Sequence, residues 1–138
     1  MKDYYLSYEN FYKRLEDEFK KYGKLIIAYD FDDTVFNFHK DSNRHYDKVI
    51  SLLKEWSEHA YTILFTSRET SRLQEAIDFV KENNIPMDSV NKNMPNTPFG
   101  NNNKVYYNVL LDDRAGLKWS YKALRKLIKK IKKGKING

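Results

Sequence analysis

The chain has 138 residues, 41% of them hydrophobic and 32% charged, with no cysteine, a net charge of +6 and a pI near 9.3. That length makes one domain with room for a real core, and the mixture excludes a disordered chain, a disulfide framework and any thiolate metal site. No apolar run approaches the roughly 18 residues of a membrane span and the N-terminus lacks an apolar signal core, so a cytoplasmic protein with anionic partners is the expectation.

In chain order, Tyr8, Phe11, Tyr12, Leu15, Phe19 and Tyr22 recur at helical spacing, and Gly23 is placed to end that helix. Leu25-Ile26-Ile27-Ala28-Tyr29 reads as a buried strand and runs directly into Asp30-Phe31-Asp32-Asp33-Thr34. His45 to Glu58 carries Tyr46, Val49, Leu52, Leu53 and Trp56 on one face, a second amphipathic helix. Tyr61 to Phe65 predicts a second strand, closed by Thr66-Ser67-Arg68, and Ser71 to Glu82 a third helix burying Leu73, Ala76, Ile77 and Val80. A short strand is expected near Ser89-Val90, then a loop over 91–103, rich in Asn, Pro and Gly. Asn108 to Leu111 predicts a strand ending on Asp112-Asp113-Arg114, and from Gly116 a closing helix carries Trp119, Leu124, Leu127, Ile128 and Ile131.

Strands alternating with helices predict an α/β fold: a three-layer, Rossmann-like parallel sheet with helices on both faces and no large cap. Three strand ends then carry polar chemistry: Asp30/Asp32, Thr66/Ser67 and Asp112/Asp113. In a parallel sheet these C-terminal ends share one edge, the edge where open α/β sheets bind ligands. Residues i and i+2 of an extended segment face the same side, so Asp30 and Asp32 can converge on one substrate atom.

This series resembles the motifs of the haloacid dehalogenase (HAD) superfamily: Asp-x-Asp-x-Thr after a hydrophobic strand, a strand closed by Thr/Ser, a Lys, then Leu-Leu-Asp-Asp-Arg, as in small capless phosphatases and deoxyribonucleotidases. The resemblance spans Leu25 to Arg114. It implies a Mg²⁺-dependent phosphomonoester hydrolase working through an aspartyl-phosphate. Asp30 is then the nucleophile and Asp32 the acid/base. The metal is held by Asp30, the Asp32 backbone carbonyl and the Asp112/Asp113 pair, with Asp113 favoured for direct contact. Thr66 and Ser67 hold a phosphate oxygen, Thr34 supports the loop, and Arg68 is placed to grip substrate or to form a surface ion pair. Lys104, eight positions before Asp112, is the expected phosphate lysine. A straight strand would leave it on the order of 26 Å away at 3.3 Å per residue, so the chain must turn back; Lys92 is the alternative. His39 and His45 lack metal-ligand spacing and are assigned no zinc.

Only 27 positions separate Val35 from Thr62, too few for a cap beside a helix, so the site is expected to be open. That suits a nucleotide, a nucleic-acid terminal phosphate or a phosphoprotein. The acid-free basic segment Lys118 to Lys135 points to a polyanion or else to the solvated face of a terminal helix. The competing classes are a non-enzymatic phosphoacceptor, in which the acidic pair comes first in the chain, and a basic nucleic-acid-binding module with a decayed site. The residues leave the oligomeric state open.

Overall fold

The structure, a computed structural model, describes residues 3–98 and 102–138. Four helices, α1 (Tyr8–Tyr22), α2 (His45–Trp56), α3 (Thr70–Glu82) and α4 (Leu117–Lys132), accompany strands β1 (Leu25–Tyr29), β2 (Ala60–Leu64), β3 (Ser89–Val90) and β4 (Val109–Leu111). Of the loop expected over 91–103, residues 99–101 lie outside the described residues. Gly23 ends α1 in the left-handed region at φ 73°, donating its N–H to the Phe19 carbonyl, a cap that other side chains resist. Strand β2 starts and ends one residue earlier than the apolar run suggests, and α2 stops at Trp56, with short turns over Ser57 and His59.

The sheet is wholly parallel, in the order β3-β2-β1-β4. Tyr29 stands opposite both Leu64 and Leu111, so β1, β2 and β4 end in line and Asp30, Phe65 and Asp112 leave from one edge. This is the three-layer, Rossmann-like α/β arrangement. Leu25, Ile27 and Tyr29 join the larger core with Leu15 and Phe19 of α1, Leu53 and Trp56 of α2, and Leu124 and Leu127 of α4. Ile26 and Ala28 alternate with them and, with Ile63, form a smaller cluster under Met94, Val105 and Tyr107. The β3–β4 crossover thus covers part of the sheet face that a helix often covers. Tyr22 is 66% exposed at the end of α1 and Trp119 is 40% exposed beside Tyr8 and Phe11. Of the four α3 residues expected to be buried, Ala76 and Val80 are, whereas Leu73 and Ile77 are half-buried near the rim of the helix's inner face.

Asn108 fixes the entry of β4 against β1. Its N–H donates to the Ile26 carbonyl and its side-chain oxygen accepts the Ile26 N–H at 2.6 Å, while its amide donates to Glu18 at 2.8 Å. Arg14 of α1 donates to the Asn108 carbonyl at 3.0 Å. Asn108→Ala leaves the Ile26 N–H unpaired in a central strand. We expect a loss of about 1–3 kcal/mol, read as a lower urea midpoint with an unchanged slope.

Candidate functional site

The shared strand edge gathers three carboxylates. Asp30, Asp112 and Asp113 each offer an oxygen, all within 4.8 Å of one another. Backbone hydrogen bonds knit the edge together: the Asp30 N–H donates to the Leu111 carbonyl at 2.9 Å, and the Phe65 N–H to the Tyr29 carbonyl at 2.8 Å. Thr34 is fully buried beneath the acids. Its hydroxyl accepts the Asp113 N–H at 2.9 Å and lies 3.4 Å from an Asp30 oxygen and 3.3 Å from an Asp113 oxygen. A carboxylate of Asp112 accepts the Arg114 N–H at 2.8 Å, which turns the chain at the end of β4.

Partial burial, a hydrogen bond with Asp113 and the negative charge of Asp112 push the Asp30 carboxyl up to about 7. Three carboxylates cannot all ionise cheaply in so small a space. The donor set is all oxygen and anionic, which fits a hard divalent cation such as Mg²⁺.

Asp32 is not among the three. Arg68 grips it with two hydrogen bonds, Nε at 3.0 Å and Nη2 at 2.7 Å, one to each oxygen. The guanidinium is buried and lies over the Phe31 ring at 4.8 Å and the Phe36 ring at 5.6 Å. Those two rings stack on each other at 5.0 Å. Arg68 thus orients a carboxylate of the first acidic turn, and its Nη1 also meets the exposed Glu75 at 3.7 Å. The partnership with Asp32 spans 36 residues and has no local sequence signal; a buried Arg has to find an acid, and only the fold says which.

Thr66 is held from both sides by Asn91, whose side chain accepts the Thr66 N–H and donates to its carbonyl, each at 2.9 Å. The Thr66 hydroxyl accepts the Arg68 N–H at 3.2 Å, while Ser67 is exposed. Asn91 has no distinguishing signal in the sequence because it sits in an Asn-rich stretch. The loop after Asp32 closes on itself through Asp33, which has φ 63° and binds the His39 ring and N–H with its carboxylate. The His45 ring meets the Asp33 carbonyl at 2.7 Å. Both histidines thus serve that loop.

The expected lysine is not brought to the acids. Lys104 is exposed and makes no ion pair with Asp30, and the same holds for Lys92. In the crossover, Asn93 holds the Lys104 carbonyl at 3.0 Å, and Val105 and Tyr107 pack onto the sheet face. Arg68 is the basic side chain bound to Asp32.

No family model matches this sequence, and no curated protein matches it. A solved structure of a conserved protein from Bacteroides thetaiotaomicron is similar, with a TM-score of 0.58 and 24% identity, over 80% of this chain and 92% of that one. The likeness is one of fold. Among the described residues no helix is long and apolar enough to cross a membrane.

Proposed function

We propose that this chain is a Mg²⁺-dependent phosphomonoester hydrolase of the HAD type. The observation that carries the reading is the convergence of Asp30, Asp112 and Asp113 on one sheet edge, beside Thr66 and Ser67 from the neighbouring strand end. In this reading an Asp30 oxygen attacks phosphorus, the bond from phosphorus to the ester oxygen breaks, and that oxygen leaves with a proton from Asp32. Asp32, returned to its ionised form, then takes a proton from the water that hydrolyses the aspartyl-phosphate. Phosphate leaves and Asp30 is restored.

A divalent cation held by Asp30, Asp112, Asp113 and the Asp32 backbone carbonyl would supply the positive charge that lets Asp30 ionise and a phosphate approach. Arg68 bears on the acid step, because both Asp32 oxygens accept from it. Protonating Asp32 requires one of those hydrogen bonds to be given up, whereas the base step suits the paired carboxylate. The Ser67 N–H and hydroxyl, exposed at the adjoining strand end, are available to a phosphate oxygen.

The test is multiple turnover of an aryl phosphate. We expect hydrolysis in Mg²⁺, loss of it in EDTA and recovery on adding Mg²⁺ back. A single stoichiometric release would point instead to a phosphoacceptor, and full activity in chelator would remove the metal from the reaction.

A further inference from the structure

The excess positive charge of this chain has an address. Along α4 and its C-cap, Lys118, Lys122, Lys126, Lys129 and Lys133 follow one another at intervals of three and four residues, forming a single stripe. It lies opposite the buried face made by Ser120, Ala123, Leu124, Leu127 and Ile128. At 1.5 Å per residue the stripe runs for about 22 Å. Two grooves accompany it. One, of about 490 Å³, is lined by Tyr121, Lys122, Arg125, Lys126, Lys129, Lys130, Lys133 and Lys135. The other, of about 460 Å³, lies between α2 and the start of α4 and includes His45, Lys48, Lys118, Tyr121 and Lys122.

The two share Tyr121 and Lys122 and so adjoin as one track: the first part is a trough between side chains of α4 and its C-terminal tail, the second a cleft between α2 and α4. Its upper end adjoins the acidic edge: α4 starts just after Asp112 and Asp113, and His45 is bonded to Asp33. No acid lines either groove. Nearby, Glu55 engages Arg125 and Lys132, and Glu16 engages Lys130. Lys118, Lys122, Lys126, Lys129, Lys133 and Lys135 have no carboxylate partner among the described residues. Within the fold, Lys122 lies over the Tyr8 ring at 4.6 Å and Lys126 over the Tyr12 ring at 4.3 Å, and among the described residues none of the six is held in an ion pair. Aromatic surface flanks them: Tyr121 in both grooves, and Trp119, exposed and packed on the same Tyr8 ring that Lys122 covers at 4.6 Å.

We propose that this track binds a single-stranded nucleic acid along its phosphate backbone and presents the strand's terminal phosphate at the acidic edge. The second half of the statement rests on the phosphatase reading; the first does not. A positively charged groove that follows a backbone, with aromatic faces for bases, is what single strands require. A membrane surface shares the preference for lysine, but an interfacial helix needs a free apolar face, and that of α4 is spent in the core.

The experiment measures binding of a fluorescent oligothymidylate in EDTA, and separately steady-state hydrolysis in Mg²⁺ of a terminally phosphorylated oligonucleotide and an aryl phosphate. The variant is Lys122→Gln/Lys126→Gln/Lys129→Gln; the control, of equal charge, is Lys21→Gln/Lys54→Gln/Lys81→Gln, all three exposed and off the track. We expect the track variant to bind at least tenfold more weakly at low salt. Its log–log salt slope should fall by about 2, at roughly 0.7 per lost phosphate contact on single strands. KM should rise for the oligonucleotide alone, with aryl phosphate turnover unchanged. Equal weakening in variant and control, or binding of phosphatidylserine vesicles without binding of the oligonucleotide, would overturn the track. Loss of aryl phosphate turnover in the unmodified protein would instead sink the phosphatase reading, leaving the binding arm to stand or fall by itself.

Discussion

Asp30→Asn is expected to end turnover of an aryl phosphate and, in the same molecule, to raise its melting temperature at pH 8. The two effects share one cause. Asp30 is crowded by Asp112 and Asp113, and its carboxyl is pushed up to about 7 from an ordinary 3.8. Because the folded value is raised, the carboxyl favours the fold fully below about pH 4 and loses that contribution as pH rises through about 7. Above that range the ionised group costs the cation-free protein about 2 kcal/mol, once the rise at about 1.4 kcal/mol per pH unit is discounted for the water that screens this half-exposed group. Asparagine keeps the shape and can still accept from Thr34, but it carries no charge to repel and no carboxylate to attack. We expect the rate to fall roughly 10⁴-fold or more, the scale set by removing a covalent nucleophile. Thermal melts of both proteins at pH 5 and pH 8 check the other half: the gain should be clear at pH 8 and small at pH 5. Retained turnover would put the nucleophile elsewhere, and a lower melting temperature at pH 8 would mean the carboxylates are not in conflict.

Mg²⁺ should stabilise the protein for the same reason, without any substrate present. A ligand at one hundred times its dissociation constant adds about 2.7 kcal/mol, which for a domain of this size moves the midpoint by about 10 °C. At pH 8 the cation meets ionised acids. At pH 5 it must displace the proton that Asp30 holds, so the gain shrinks. Scanning calorimetry in MgCl₂ against NaCl of matched ionic strength separates site binding from screening. Asp113→Asn should diminish the Mg²⁺ gain, and a shift of equal size at both pH values would argue for a diffuse effect rather than this cluster.

What the sequence made legible was whatever local periodicity and strand-end chemistry encode. The run Leu25 to Tyr29 is uniformly apolar and is uniformly buried, so its pattern alone puts the acids that follow it on the edge. Asp112 and Asp113 were placed by the same logic, and they stand beside Asp30. The contacts of Arg68 and Lys104 were not legible, because each depends on how distant segments cross. Arg68 found Asp32 only because β2 lies next to β1. Lys104 makes no ion pair with Asp30, and the residues that follow it, Val105 and Tyr107, cover Ile26 and Ala28. Trp119 shows that helical spacing alone does not bury a side chain: it is on α4 but lies off the stripe formed by Leu124 and Leu127.

The clasp of Asn108 on Ile26 has a bearing on time as well as on strength. It joins positions 82 residues apart, and the partner strand of Tyr29 on that side comes only at Val109 to Leu111. Pairings that distant form late, since a long loop must be closed before any contact rewards it. A growing chain halted short of Asn108 therefore carries Asp30 without its two rivals, ionising as an ordinary acid on an open sheet edge. The electrostatic conflict comes into being only when the last strand docks, so the cluster that would call for a cation is among the final features to exist.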